Sequence, residues 1–296
     1  MQYNPDQAAL KPLINALFRL IRIPNLIIIG MTLGLLYSNA ETPSLDGFSF
    51  AILVLGTICI AAAGNVINDI LDVEIDWINK KDRVVVGVLI SLKSAWGLYF
   101  FLNIAALVGA IYGRSIDLFS FFLGAIILLY FYSTLWKRQA LIGNVVVAFL
   151  CTWVVFEFWW FSYASLTDYW QGILLAYMIF AFLSTLAREL VKDVEDMEGD
   201  KLQGCQTVAI QKGLPFVKKI ILILLRFLLV LLIVEAYFLY TYSAYLAFVY
   251  LITALVVPLF YMLRIVHQAE KTADFSRISR LLKAYMLLGL LLLLLV

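Results

Sequence analysis

Charge is scarce in this sequence. Asp, Glu, Lys and Arg together make up 14% of its 296 residues, where a soluble domain carries roughly a quarter. A soluble globular reading is therefore excluded, and a formal net charge of +2 offers no basic surface for nucleic acid. Histidine is nearly absent: the single copy, His267, cannot build a multi-histidine metal site or supply imidazole acid-base chemistry inside a core. The three cysteines follow no disulfide or zinc spacing, and Cys59 and Cys151 lie within apolar runs. What is abundant is apolar surface, 64% of residues with a mean hydropathy of +0.96, a composition suited to a bilayer. Carboxylates, amines and hydroxyls must then carry any chemistry. The polar start, Met1 to Lys11, precedes an apolar stretch too long for a signal sequence and without a small-residue cleavage site, so no removable signal peptide is expected.

About 20 apolar residues span the hydrocarbon core. On that template the sequence predicts nine transmembrane helices, near 13–37, 48–70, 95–112, 118–136, 140–161, 170–188, 216–240, 244–264 and 281–296. The fold class expected is an all-α, multi-pass membrane bundle forming a single domain over residues 1–296. With the N-terminus inside, 20 of the 22 basic residues fall on the inner side, Arg226 lies within the seventh span and only Arg114 is outside. That bias predicts a protein of the cell inner membrane, with its N-terminus and its two longest inner loops in the cytoplasm. Glu157, Glu235 and Asn103, polar residues within spans, are expected at an interface or in interhelical hydrogen bonds.

Those two loops hold 11 of the 20 acidic residues. Asp69-x-x-Asp72-x-Glu74-x-Asp76 and Asp193-x-x-Asp196-x-Glu198-x-Asp200 share one spacing at an offset of 124, each at the C-terminal end of an even-numbered span. A duplicated four-helix unit with one further helix accounts for the offset. On a continuous helix, Asn65, Asn68, Asp69, Asp72 and Asp76 fall within an arc of about 100° while Glu74 points away. Glu189, Lys192, Asp193, Asp196 and Asp200 do the same, with Glu198 turned outward. Carboxylates crowded on one face repel unless a cation intervenes. Oxygen-only donors without histidine or thiolate favour Mg²⁺, which takes one or two carboxylates and shares the rest of its shell with substrate phosphates and water. Two such helix ends could clamp a diphosphate. The alternative, a pair of solvated charged loops, leaves the repeated spacing and the shared face without a purpose.

The pair of motifs, Asn68-Asp69-x-x-Asp72-x-x-x-Asp76 in AGNVINDILDVEIDWINKKDR and Lys192-Asp193-x-x-Asp196-x-x-x-Asp200 in ARELVKDVEDMEGDK, resembles the signatures of the UbiA-type intramembrane prenyltransferases. The resemblance covers nearly the whole chain and implies nine helices around a central cavity open to lipid. It implies Asn68, Asp69, Asp72, Asp76, Asp193, Asp196 and Asp200 as metal ligands, with Asn68, Asp72, Asp196 and Lys137 in catalysis. Arg22, Pro24 and Asn25 resemble the family's first-helix element. Asn79, Lys80, Asp82 and Arg83 resemble its basic loop, where Lys81 and Val84 replace prolines found in many members. Tyr132, Ser133, Lys137, Arg138, Gly143 and Asn144 resemble the element joining the fourth and fifth helices. Substrate contacts are implied for Arg22, Asn25, Asn65, Arg83, Tyr132, Ser133, Arg138, Asn144, Arg188, Lys192 and Lys201.

The chemistry so implied is Mg²⁺-dependent prenyl transfer from an allylic prenyl diphosphate to a lipophilic acceptor within the membrane. Basic residues such as Lys137, Arg138, Lys192 and Arg83 would stabilise the departing anion. No nucleic-acid partner and no obligate protein partner is expected beyond the membrane lipid. Tyr132 and Lys137 are five apart, where aromatic-acid members of the ubiquinone branch show four, and the second motif resembles that of archaeal-type ether-lipid geranylgeranyltransferases. The expected acceptor is therefore a glycerol-phosphate ether lipid. Prenylation of a quinone, chlorophyll or haem precursor is the alternative, and a divalent-cation transporter is the alternative of another class. A cation path has little use for basic residues beside its carboxylates.

Overall fold

The computed structural model describes residues 5–39, 45–74, 77, 84–202 and 204–296, with side chains from Leu13 onward. Among the described residues the regular secondary structure is helical, with isolated bridges at Val86–Ile90 and Gln139–Gln206 but no strand. The long helices are α1 (Pro5–Leu20), α2 (Ile23–Asn39), α3 (Gly47–Leu71), α4 (Leu92–Tyr112), α5 (Ile116–Thr134), α6 (Ile142–Ser162), α7 (Asp168–Glu195), α8 (Leu214–Thr241), α9 (Tyr245–Gln268) and α10 (Thr272–Leu292). Seven of them are long and apolar enough to cross a membrane, and eight spans result if α1 and α2 count as one bent span. The ninth expected span corresponds to α10, whose first half carries Asp274, Arg277, Arg280 and Lys283 and is too polar to pass the same test over the helix as a whole.

The chain forms two compact units, Met1–Met31 with Leu45–Leu135 and Thr32–Ser44 with Trp136–Val296. In the first, α3 packs against α4 and α5. Asp46, Ser91 and Ser115 cap the starts of these three helices by accepting from the Ser49, Ser94 and Leu118 amides, groups that have no intrahelical partner. Val66, Ile67 and Ile70 at the end of α3 are buried with Ala16 and Leu20 of α1, Val85, Val86 and Ile90 of the following turn, and Ala95 and Tyr99 of α4. Burying that face of α3 leaves Asn65, Asn68 and Asp69 half-buried on the other.

The first span is not the single helix the hydropathy predicts. It bends by 54° between Leu13–Leu20 and Ile23–Asn39, and Arg22 sits at φ 54, in the left-handed region. Pro24 is the cause: it has no N–H to donate to the Leu20 carbonyl and its ring crowds that carbonyl, so the helix cannot continue. The Asn25 amide turns back to the Arg22 carbonyl at 2.9 Å instead.

In the second unit α7 is central and packs against α6, α8 and α10. Thr167 caps its start. Within α9 a π-helical turn, Leu251–Val256, precedes Pro258, whose missing N–H releases the α-helical register one turn upstream. Asp274 secures the start of α10 by accepting from the Glu270 and Lys271 amides, both at 3.0 Å. These backbone bonds hold its carboxyl below the ordinary carboxylate range. Glu157, Glu235 and Asn103 are all buried. Asn103 corrects the expectation of an interhelical bond: its amide donates to the Tyr99 carbonyl of its own helix at 2.9 Å, the nearest acceptor one turn back.

Candidate functional site

In the first unit the acidic end of α3 is built around the break in the first span. The Asn65 amide donates to the Ile21 carbonyl at 3.1 Å, one of the acceptors the break exposes. The Arg22 guanidinium donates to Asp69 Oδ1 at 3.1 Å. On the other side Ser133, in the last turn of α5, places its hydroxyl 2.8 Å from both Asn68 Oδ1 and the Leu129 carbonyl. Asn68 Oδ1 keeps a lone pair beyond the one used with Ser133. Five of the expected residues, Arg22, Asn65, Asn68, Asp69 and Ser133, thus form one connected group. Tyr132 is its half-buried neighbour on α5. Asn25 is not drawn in; its side chain is exposed. Asp76 and Arg83, like Asn79 to Asp82, lie outside the described residues.

The end of α7 repeats this arrangement with different side chains. Asp193, at the position of Asp69, accepts from the amide of Asn144 at 3.0 Å, and Asn144 is buried in the first turn of α6. Glu189, at the position of Asn65, is paired with Arg188 at 2.8 Å and Lys192 at 3.6 Å. The sequence put Glu189 on the acidic face but not among the site residues. Its role as the hub of two cations is visible only in the structure, although the spacing of three to Lys192 was a legible signal.

Both helices stop at the equivalent carboxylate. Asp72 ends α3 with φ −96 and ψ 3, and Asp196 ends α7 with φ −94 and ψ 3. The continuous helix assumed for the facial argument is thereby corrected, since each motif bends at its second aspartate. The division of faces nevertheless holds among the described residues. Asp69, Asp72, Asp193, Asp196 and Asp200 are half-buried, whereas Glu74 and Glu198 are exposed. The reason is that helical hydrogen bonds persist across the bend: Asp72 donates to Asn68, Asp196 to Lys192 and Asp200 to Asp196.

The basic residues between α5 and α6 are held by backbone. Trp136–Arg138 form a 3-10 turn, and the Gln206 amide donates to the Arg138 carbonyl at 2.9 Å. The Cys205 amide in turn donates to the Asp200 carbonyl at 3.0 Å. The Lys137–Arg138 turn is therefore tied to the second acidic motif through main chain, a link that no side-chain pattern announces. Gly143 permits it, since a Cβ there would lie 2.9 Å from the Trp136 carbonyl oxygen and 3.2 Å from Lys137 Cα. Lys201 is exposed on the short helix Met197–Leu202.

Among the described residues no three carboxylate, histidine or cysteine side chains converge to enclose a metal ion. The donor set still fits Mg²⁺, which uses one or two carboxylates and completes its octahedron with substrate phosphate and water. Half-buried carboxylates and an amide oxygen lie beside Arg22 in one unit and beside Arg188 and Lys192 in the other. A metal-bound diphosphate needs groups of both signs.

Comparison with known proteins gives the same direction. Residues 27–290 match the UbiA prenyltransferase family. The chain is 31% identical over 217 residues to a digeranylgeranylglyceryl phosphate synthase of Sulfurisphaera tokodaii, covering 72% of this chain and 76% of that one. It is 35% identical over 215 residues to the synthase of that name from Saccharolobus solfataricus, covering 72% and 74%. Its fold matches a solved structure of digeranylgeranylglyceryl phosphate synthase in membranes with a TM-score of 0.71 at 24% identity, over 95% of this chain and 97% of that one. A UbiA homologue from Archaeoglobus fulgidus, bound to DMAPP and Mg²⁺, matches with a TM-score of 0.66 at 18% identity, over 93% and 98%. The transporter alternative finds no support in these relatives. The chain belongs to the UbiA prenyltransferase family and is an integral membrane prenyltransferase.

Proposed function

We propose that this enzyme transfers a geranylgeranyl group from its diphosphate to a glycerol-phosphate ether lipid, and that the ends of α3 and α7 hold the donor's diphosphate through Mg²⁺. The observation that carries this reading is the shared ending of the two helices at Asp72 and Asp196 with nearly one backbone conformation, each preceded by a half-buried aspartate held by a neighbouring side chain. Asp69, Asp72 and Asp76 with Asn68, and Asp193, Asp196 and Asp200, would hold the metal. Mg²⁺ there would neutralise charge on the diphosphate as its bond to the allylic carbon breaks.

The chain's own residues orient and shield that event. Asn65 and Ser133 fix the polar face of α3, and Asn144 fixes Asp193. Arg22, Arg188 and Lys192 balance the carboxylates, while Lys137 and Arg138, with Arg83 and Lys201, take up charge on the departing anion. Asn25 and Tyr132 would contact substrate. In this reading the chain is one domain, α10 supplies a ninth span through its apolar second half, and the eight others form two four-helix repeats around a cavity open to lipid. The N-terminus and both acidic segments face the cytoplasm of a cell inner membrane. Cysteines introduced at Asn79 and Gly204 would then resist an impermeant thiol reagent added to intact cells, and labelling of either would refute the orientation.

The deciding experiment incubates the purified protein with Mg²⁺, labelled prenyl diphosphates of several lengths and a panel of acceptors. Geranylgeranyl transfer to the glycerol-phosphate ether should exceed polyprenyl transfer to 4-hydroxybenzoate. Product from the aromatic acceptor alone would overturn the ether-lipid assignment and leave the family standing.

A further inference from the structure

The second unit contains an open groove of about 530 Å³ that the prenyl-transfer reading does not use. One wall is the start of α8, with Leu214, Pro215, Lys218, Lys219, Leu222 and Arg226; the other is the end of α9 and the turn after it, with His267, Ala269 and Glu270. Three basic side chains therefore face one carboxylate. Lys218 Nζ bridges the walls by donating to the Ala269 carbonyl at 3.0 Å, which leaves two of its three N–H groups for other acceptors.

Arg226 decides what the groove suits. It lies 12 residues after the start of α8 at Leu214, about 18 Å along the helix axis at 1.5 Å per residue, within a membrane-spanning segment. Helical side chains slope toward the N-terminus, so Arg226 extends back along α8 above Leu222 and Lys219, its neighbours at four and seven residues before it. The helix around it is lipid-facing, since Phe216, Ile223 and Phe227 are all exposed. A soluble anion would meet the lysines in water but would have to enter hydrocarbon to meet Arg226. A lipid phosphate sits at that boundary already, with its chains free to lie along Leu222 and the exposed apolar side chains. Basic pockets between membrane helices bind phosphate head groups for this reason.

We propose that this groove is a binding site for an anionic membrane phospholipid, held by its phosphate between Lys218, Lys219, Arg226 and His267. The site is independent of the acceptor assignment and lies on helices that carry neither acidic motif. It can be tested by native mass spectrometry of the full chain, titrated with phosphatidylglycerol or with phosphatidylcholine of the same acyl chains. Wild type should retain one phosphatidylglycerol in preference to phosphatidylcholine. The double variant Lys219→Gln/Arg226→Gln should weaken phosphatidylglycerol binding about 25-fold, roughly fivefold per basic residue near the membrane surface, and leave phosphatidylcholine unchanged. Lys219→Arg/Arg226→Lys should retain binding. So should Arg19→Gln/Lys93→Gln, which removes two exposed charges that do not line the groove. Glycerol 1-phosphate should not compete. Equal binding by wild type and the glutamine pair would overturn the proposal, as would an equal loss in the control pair or in the charge-conserving pair. Competition by glycerol 1-phosphate at matched concentration would overturn it in favour of a soluble-phosphate site.

Discussion

Asn144→Leu removes one hydrogen bond and little else, which makes its cost calculable. The Asn144 side chain is 8% exposed, and its amide donates to Asp193 Oδ2 at 3.0 Å. A leucine of similar size fills the space without donating. A hydrogen bond to a charged group is worth about 1.5–3 kcal/mol, and at 1.36 kcal/mol per decade its loss corresponds to a factor of roughly 10 to 150. If Asp193 is a metal ligand, that factor should appear in the Mg²⁺ concentration giving half-maximal prenyl transfer, because the ligand is no longer held in position. Thr152→Val on the same helix is the control, since the Thr152 hydroxyl donates to the Ala148 carbonyl of its own helix at 3.0 Å and reaches the Met178 carbonyl of α7 at 3.5 Å, a mid-helix backbone atom well before Asp193, and so touches no residue of the acidic motif. The assay is the initial rate against Mg²⁺ at saturating donor, with thermal unfolding to show that both variants fold. A half-maximal Mg²⁺ concentration within twofold of wild type for Asn144→Leu would refute the assignment of Asp193.

Two further perturbations probe the scaffold. Gly143→Ala places a methyl group 2.9 Å from the Trp136 carbonyl oxygen, a backbone atom that cannot rotate away. Overpacking of this kind costs about 1–3 kcal/mol, so the Lys137–Arg138 turn should shift and raise the donor KM roughly tenfold while the protein still folds; an unchanged KM would show that the turn does not contact the donor. Asp274→Ala should lower the thermal unfolding temperature at neutral pH, and the gap from wild type should close in acid. Because the folded-state carboxyl titrates below its ordinary value of 3.8, its contribution is complete above that value and is lost as pH falls through the lower folded value. A gap that persists in acid strong enough to protonate the carboxyl in the folded protein would mean that the two amide hydrogen bonds do not depend on ionisation.

The hydropathy pattern located the spans because about 20 apolar residues are needed wherever a helix meets lipid, whatever its neighbours. It failed at Arg22, where a proline two residues later breaks the first span, because a window average is blind to one missing N–H. The facial arithmetic separated Asp72 and Asp196 from Glu74 and Glu198 even though α3 and α7 end there, since the backbone bonds of Asp72 to Asn68 and Asp196 to Lys192 preserve one more helical turn. Pairings between distant segments were beyond its reach. Ser133 with Asn68, Asn144 with Asp193 and the main-chain tie of Gln206 to Arg138 span 49 residues or more, and periodicity carries no information about them. Glu189 shows the intermediate case, its face correctly read and its two cationic partners unassigned.

The most direct test of the account compares carboxylates of equal charge on opposite faces. Asp72→Asn and Asp196→Asn each remove a half-buried oxygen donor at a helix end, whereas Glu74→Gln and Glu198→Gln remove the same unit of charge from exposed positions in the same segments. Prenyl transfer is measured for all four at matched expression and saturating Mg²⁺. Losing a transition-state interaction of about 3–4 kcal/mol lowers the rate roughly 10²- to 10³-fold, and this is the result expected for the two aspartate variants, with no rescue by added Mg²⁺. The glutamate variants should remain within a few-fold of wild type. Equal losses at all four positions would contradict the account, because bulk charge rather than a faced metal site would then govern activity.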